Sequence, residues 1–240
     1  MTRLLLVRGM LAGIVAGLLV FALARWIGEP QVERAIAFET NVDKAKGEAP
    51  EPEIVSRTIQ RSLGLLTATV VDGTAMGGIF ALVFAFAYGR MPVTSPRTLS
   101  ILLAGLGFVV FSVVPALKYP ANPPSVGNPE TIGMRTAAFF LLLAVSVAAM
   151  ILGVQVERRF HNRLGVWNAV LLAVVLFIIV MVTVSHFLPE FDEVPADFPV
   201  TLMWKFRVAA LEMQVLLWSV LGILFGWLVD RKIAVRQLQG

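Results

Sequence analysis

Cysteine is absent from this chain of 240 residues, and histidine occurs only twice, as His161 and His186. Without cysteine there is no disulfide bond, no thiolate metal ligand and no cysteine nucleophile. Two histidines are too few for a dense site of soft metal ligands. The sequence also contains no HExxH, GxSxG or Walker A motif. It therefore does not indicate an enzyme.

Charged residues are scarce as well. They make up 15% of the chain, while 58% of its residues are hydrophobic, and this composition is typical of an integral membrane protein. The net charge of +4 does not indicate a nucleic-acid partner, because the basic residues fall singly or in short clusters at the ends of apolar runs. We therefore expect a lipid bilayer around the chain and no nucleic acid bound to it.

Six apolar runs are each long enough to cross a hydrocarbon core of about 30 Å at about 1.5 Å per residue. They cover residues 4–27, 63–89, 98–117, 136–156, 164–188 and 202–229. The first run contains Ala22-Leu23-Ala24, which resembles a signal-peptidase site, but its length favours an uncleaved helix. The sequence predicts one all-α membrane domain, a polytopic bundle of six transmembrane helices. The density of arginine beside the spans predicts that both termini are cytoplasmic.

Two polar segments separate some of these runs. Residues 28–61 are predicted to form an extracytoplasmic loop, with a short interfacial helix from Gln31 to Glu39 and a linker from Asp43 to Pro52. Residues 118–135 contain four of the chain's 13 prolines. Proline lacks the backbone N–H and disfavours helix in the residue before it, so this segment is predicted to be a rigid joint between the halves.

Small residues recur at intervals of four in three of the runs, which places them on one helix face and predicts close helix packing. They are Gly9, Gly13 and Gly17; Gly73, Gly77, Ala81, Ala85 and Gly89; and Gly222 and Gly226.

Asp72, Arg207 and Glu212 lie inside the apolar runs, and by residue count both carboxylates are near mid-depth. An ionised group at that depth costs at least about 2.5 kcal/mol, so it must face protein, water or an ion. One interpretation is a structural salt bridge with Arg207 or Lys205. The other is a cation or proton site in a polar crevice, where hard oxygen ligands suit a partly hydrated divalent cation.

Two further residues complete the candidate metal ligands, which are Asp72, Met76, His186 and Glu212. Met76, one turn beyond Asp72, offers a soft sulfur contact, although methionine in a membrane helix is more often a packing residue. His186 precedes an acidic connector that contains Glu190, Asp192, Glu193 and Asp197. This histidine is either a ligand near a cation-attracting mouth or an interfacial polar residue.

Six stretches of the sequence together resemble the CbtA family, a set of bacterial membrane proteins predicted to be cobalt transporter subunits. They are RGMLAG from Arg8, GEPQVERAIAFE from Gly28, ALVFAFAYGR from Ala81, KYPANPPSVGNPETIGMRT from Lys118, LGVWNA from Leu164 and MWKFR from Met203. The resemblance covers nearly the whole chain, and KYPANPP is its most specific part.

The resemblance implies cobalt uptake across the bacterial cytoplasmic (inner) membrane, linked to cobalamin synthesis, with Co²⁺ as substrate and no covalently bound cofactor. It also implies a small one-span companion, CbtB, that contributes histidines, and it leaves a homo-oligomer open. Within the resembling stretches, structural or gating roles fall to Lys118, Tyr119, Asn122, Arg135, Trp204 and Arg207. Asp72 and Glu212 lie outside those stretches.

Two functions follow from these patterns. The first is a six-helix subunit that conducts a divalent metal ion, with Co²⁺ as the expected ion. The alternative is a structural or assembly subunit whose charged residues form salt bridges only. Because Lys118 and Arg135 would repel an entering cation unless the acidic connector offset them, we expect residues 118–135 to be a structural lid or a partner-docking surface.

Overall fold

The computed structural model describes residues 2–47, 54–91 and 95–237, with side chains to residue 231. Every regular element in these ranges is helical, which confirms the all-α class. Five helices are long and apolar enough to cross a membrane. They are α1 (Thr2–Lys46), α2 (Arg57–Ala87), α3 (Pro96–Lys118), α4 (Pro129–Phe187) and α5 (Val200–Arg231), and the backbone beyond α5 stays helical to Gln237.

The first helix is longer than its apolar run. A π-helical turn at Ala24–Gly28 precedes Pro30, which lacks the N–H that an unbroken α-helical ladder needs. The helix then continues to Lys46 and ends at Gly47. The φ of Gly47 is 74°, an angle that glycine adopts without strain and other residues do not. The interfacial helix predicted from Gln31 to Glu39 is therefore not a separate element but part of the second half of α1. The first residues of the predicted linker are helical too, and residues 48–53 lie outside the described ranges.

Helices α1 and α2 pack antiparallel through glycine. The facing positions are Gly9 with Gly77, Gly13 with Gly73 and Gly17 with Thr69. A Cβ atom added at any of these glycines would overlap the backbone of the opposite helix, so only glycine permits this approach. The predicted small-residue faces of both helices are confirmed there. Gly89 is not part of the contact, because it follows the end of α2 in a turn with φ of 76° and has nothing within 4 Å of its added Cβ.

The glycine pair of α5 packs against α3. A Cβ atom on Gly222 would lie 2.8 Å from the Cβ of Ala104, and the Ser100 hydroxyl donates a hydrogen bond of 2.8 Å to the Gly222 carbonyl. Next to this contact, the ring of Phe225 meets those of Phe80 and Phe84 of α2, with centroids 5.4 and 5.0 Å apart. Helices α2, α3 and α5 thus share one packed core.

The chain divides into two units, the first made of Met1–Phe108, Pro123–Ser125 and Phe198–Gly240 and the second of Val109–Asn122 and Val126–Asp197. The first unit contains the α1–α2 pair, the first part of α3 and α5. The second unit contains the end of α3, α4 and the acidic connector.

Within the second unit, α4 is a hairpin. Straight, its 59 residues would extend about 88 Å at about 1.5 Å per residue. Gly165 breaks it with φ 77° and ψ 162°. A Cβ atom on Gly153 would lie 3.6 Å from the Ala173 carbonyl oxygen, and Leu142 shares a buried core with Met181. The two arms therefore run antiparallel and pack on each other.

The predicted spans 136–156 and 164–188 both lie in this hairpin. The structure accordingly has five membrane-length helices in the described residues, and the count of six is not confirmed. Helix α4 also begins at Pro129, inside the predicted proline-rich joint, so the non-helical part of that joint is residues 119–128.

From the glycine contact we expect two alanine substitutions to change the stability of the protein in opposite directions. Gly77→Ala should destabilise the protein by about 1–3 kcal/mol, because the new Cβ would overlap the Gly9 carbonyl group. Gly105→Ala in α3 is the control, since its Cβ would meet nothing within 4 Å and alanine favours helix. Thermal unfolding midpoints in detergent measure both. Equal midpoints for the two variants would contradict a packed α1–α2 contact.

Candidate functional site

Glu193 of the acidic connector is the centre of a polar cluster in the second unit. Its carboxylate accepts hydrogen bonds from the Asn128 backbone N–H at 2.7 Å and from the Thr131 hydroxyl at 2.5 Å, and it pairs with Arg135 at 3.2 Å. The Thr131 and Asn128 hydrogen bonds, together with the Arg135 charge, lower the pKa of Glu193 below its ordinary value. Glu193 is therefore ionised and engaged at neutral pH. We call Asn128, Thr131, Arg135 and Glu193 the Glu193 cluster.

The sequence GNPET builds the Asn128 side of this cluster. The Asn128 side chain accepts a hydrogen bond of 2.9 Å from the Glu130 N–H and so caps the first helical turn, where Pro129 has no N–H to satisfy. Gly127 has φ of 124°, and the guanidinium group of Arg135 packs against it where a Cβ atom would stand. Residue 127 must be glycine both for its backbone angle and for this contact.

Lys118 and Tyr119 connect the end of α3 to the same acidic connector. Lys118 is 12% exposed and pairs at 3.3 Å with Glu190, which is 88% exposed. The Tyr119 hydroxyl donates a hydrogen bond of 2.8 Å to the Pro189 carbonyl. Burial, then the charge of Glu190, raises the pKa of Tyr119, so the phenol stays a donor through the physiological range and would be lost only in strong alkali. Carboxylates of the acidic connector thus offset the positive charges of both Lys118 and Arg135.

The two carboxylates of the spans have a different environment. Asp72 lies on α2 directly beside the glycine face, and Glu212 lies on α5, and both side chains are exposed. Within the described ranges, neither carboxylate takes part in an ion pair. The salt bridges to Arg207 or Lys205 considered from the sequence are therefore not present for these two residues.

Glu212 opens onto two adjoining grooves of the first unit. One, of about 380 Å³, is lined by Ile27 and Gln31 of α1 and by Trp204, Lys205, Val208, Ala209 and Glu212 of α5. The other, of about 360 Å³, continues along α5 past Val208, Leu211, Val215, Leu216 and Ser219. The structure thus brings Lys205, Glu212 and Trp204 to one apolar surface, with Trp204 68% exposed. Arg207 lies half-buried on the same helix.

The other candidate ligands are not gathered around a common point. Met76 is half-buried one turn beyond Asp72, and His186 is exposed at the end of α4 with its ring against Phe187. Asn122 is exposed in the non-helical segment. Over the described ranges, no group of three or more histidine, aspartate or glutamate side chains could hold a metal ion. A metal site at these residues stays a prediction.

Sequence reasoning missed two ion pairs between α1 and the start of α2. Arg57 pairs with Glu29, and Arg61 pairs with Glu33 at 2.8 Å. Glu29 is only 8% exposed, although it belongs to the polar segment that was predicted to be a loop. In the sequence, the two glutamates are four residues apart, and so are the two arginines. This spacing places each pair on one helix face only if α1 continues past Gly28, which the sequence does not predict.

Removal of the Glu193 charge should open the Glu193 cluster. In Glu193→Gln, residues 127–135 should exchange amide hydrogens several-fold faster, because the Asn128 N–H, the Thr131 hydroxyl and Arg135 lose a charged acceptor. Asp192→Asn is the control, since it removes the neighbouring charge and leaves these contacts in place. Hydrogen exchange with mass spectrometry compares the two variants, and equal protection in both would contradict the assignment.

The same cluster has a defined pH dependence. Because the pKa of Glu193 is lower in the folded state, its stabilisation is present at neutral pH and is lost as the pH falls through the folded pKa. Protection of residues 127–135 should therefore stay constant from about pH 8 to about pH 5, above the ordinary glutamate pKa, and fall only in stronger acid. Loss of protection between about pH 7 and pH 6 would contradict this account.

Comparison with known proteins agrees with the membrane helices and the motifs they carry. A search of curated proteins and a search of solved structures each return no match. The family model described as "Probable cobalt transporter subunit (CbtA)" matches residues 2–230. Since that match takes in nearly the whole length of the chain, the protein belongs to the CbtA family of probable cobalt transporter subunits.

Proposed function

We propose that this chain is the membrane subunit through which Co²⁺ enters the bacterial cytoplasm to supply cobalamin synthesis. Membership of the family supports cobalt transport. The observation that carries the proposal within the chain is that Asp72 and Glu212 lie in membrane-length helices, exposed and outside every ion pair of the described residues. Carboxylates in such positions are costly unless an ion, water or another polypeptide meets them.

Capture would begin on the acidic connector. Glu193 and the Lys118 partner Glu190 neutralise the basic residues of the proline-rich joint, while Asp192 and Asp197 are exposed and outside the described ion pairs. Their negative charge would raise the local concentration of divalent cations. In this proposal the proline-rich joint is a structural lid, and Asp72 and Glu212 are the oxygen ligands of a partly hydrated ion in passage.

The proposal includes the small one-span, histidine-bearing companion. Two carboxylates on separate helices are too few ligands for a divalent ion, and the chain has only two histidines of its own. The companion helix would pack along the apolar grooves beside Glu212, where Lys205 and Gln31 would offer it polar contacts. The driving force in this proposal is the ion gradient, the membrane potential or a partner protein, since the sequence has no Walker A motif.

A second candidate is a structural or assembly subunit. The observation in its favour is that several charged residues outside the apolar runs form ion pairs, among them Arg57 with Glu29, Arg97 with Asp230 and Arg135 with Glu193. On this interpretation the charges hold the fold, and the chain has no direct contact with the ion.

Uptake of Co²⁺ by vesicles containing the chain and its companion separates the two candidates. Asp72→Asn and Glu212→Gln should each lower uptake about 10-fold or more. Substitution of a residue that merely supports a metal ligand already lowers metal affinity or activity by about 10- to 100-fold. Glu130→Gln is the control, because its exposed carboxyl lies in the first turn of α4, outside the apolar runs and outside the described ion pairs. Full uptake by both span variants would overturn the carboxylate path. Unchanged uptake when the chain itself is omitted would overturn the transport function and favour the structural candidate.

A further inference from the structure

The turn between the two arms of α4 carries an unneutralised cluster of positive charge. Arg158, Arg159 and Arg163 are exposed and form no ion pair within the described residues. The one acidic residue of the turn, Glu157, lies 3.0 Å from the Nδ1 atom of His161, one helical turn away on the same arm. We call residues 157–168 the basic turn. It presents an excess of two positive charges, since three arginines stand against one glutamate.

Exposed apolar side chains lie directly beside these arginines. Gly165, with φ of 77°, reverses the chain, and around it Leu164, Val166 and Trp167 are 43%, 58% and 72% exposed. Tryptophan at the end of a membrane helix is typical of the interface between headgroups and acyl chains. The basic turn therefore combines a charged surface with an apolar surface over a few residues.

The arms of α4 place this turn at a bilayer surface. The most apolar stretch of the helix has a mean hydropathy of 2.8, and only 6% of that stretch is buried inside the protein. Such a stretch requires acyl chains around it, so the arm that contains it lies in lipid. The turn that joins the two arms then lies at headgroup level, next to lipid.

The helix dipole does not account for the arginines by itself. Cations near the carboxyl end of an arm gain about 0.3–1 kcal/mol each from that dipole. One carbonyl at this end, that of Leu164, already accepts a hydrogen bond of 3.0 Å from the Asn168 side chain. The dipole would favour a cation near this end of the arm, but it does not explain why three exposed guanidinium groups lie beside an exposed tryptophan.

We propose that the basic turn binds the headgroup of an anionic phospholipid. The guanidinium groups would hold the phosphate through paired N–H donors, which suit its geometry. Leu164, Val166 and Trp167 would lie against the upper acyl chains of the same lipid. No residue of this site takes part in the proposed cobalt path, and the proposal does not depend on that path.

The test is retention of phosphatidylglycerol by the purified full-length chain in native mass spectrometry. The chain is first reconstituted in equimolar phosphatidylcholine and phosphatidylglycerol. Each arginine near an anionic surface contributes about fivefold in affinity, so a variant with Arg158→Gln, Arg159→Gln and Arg163→Gln should bind this lipid on the order of 100-fold more weakly. A variant with Arg34→Gln, Lys44→Gln and Lys46→Gln makes the same change of net charge on α1 and should retain the lipid as the unaltered chain does.

Two further measurements keep the test independent of folding and of the phosphate source. Replacement of the three arginines by lysine keeps the charge but removes the paired N–H donors, so retention should fall between that of the glutamine variant and that of the unaltered chain. Inorganic phosphate should not displace the lipid, because it lacks acyl chains to meet Trp167. Equal retention by the glutamine and α1 variants would overturn the site and point to an acidic protein surface instead. Displacement by inorganic phosphate, or equal retention of phosphatidylcholine, would overturn the lipid assignment.

Discussion

The approach of α1 to α2 through glycine is the constraint on which the first unit depends. At Gly9, Gly13, Gly73 and Gly77 the two backbones come so close that no side chain fits between them. In a bilayer, where apolar side chains gain little by leaving lipid, such backbone contact is a main source of helix association. The helix pair then serves as a fixed surface for the remaining helices of the unit.

That contact also decides where Asp72 points. Consecutive residues of a helix are separated by about 100°, so when Gly73 faces α1, Asp72 cannot do so. The carboxylate is left exposed on the side of the pair. Glu212 is also exposed, on α5, but for a different reason: it lines an apolar groove next to Lys205. Both carboxylates are thus available to a group that the chain itself does not supply.

Two basic residues of the proline-rich joint, by contrast, are paired. Lys118 and Arg135 each find a carboxylate on the acidic connector, and Glu193 collects three donors. Within the second unit this network ties the proline-rich joint to the residues after α4. Hydrogen bonds and ion pairs therefore hold the joint in place, and its role as a structural lid or a partner-docking surface stays a prediction.

The sequence predicted the helical class and the glycine faces, because apolar length and a spacing of four are local properties. It did not predict that α1 continues to Lys46, since the polar residues after Gly28 resemble a loop when the ion pairs of Glu29 and Glu33 with α2 are unknown. Likewise, Glu193 could not be singled out among four acidic residues. Its three donors come from positions more than 55 residues earlier in the chain, and only the tertiary structure brings them together.

We propose that the unpaired carboxylates of the spans are the groups of this chain that meet the transported ion. The most direct test is a structure of the chain with its companion in a lipid bilayer, saturated with Co²⁺ and recorded with the anomalous signal of cobalt. We expect cobalt density beside the carboxylate of Asp72 or of Glu212. Density confined to the acidic connector, or no density at either carboxylate at saturation, would contradict it.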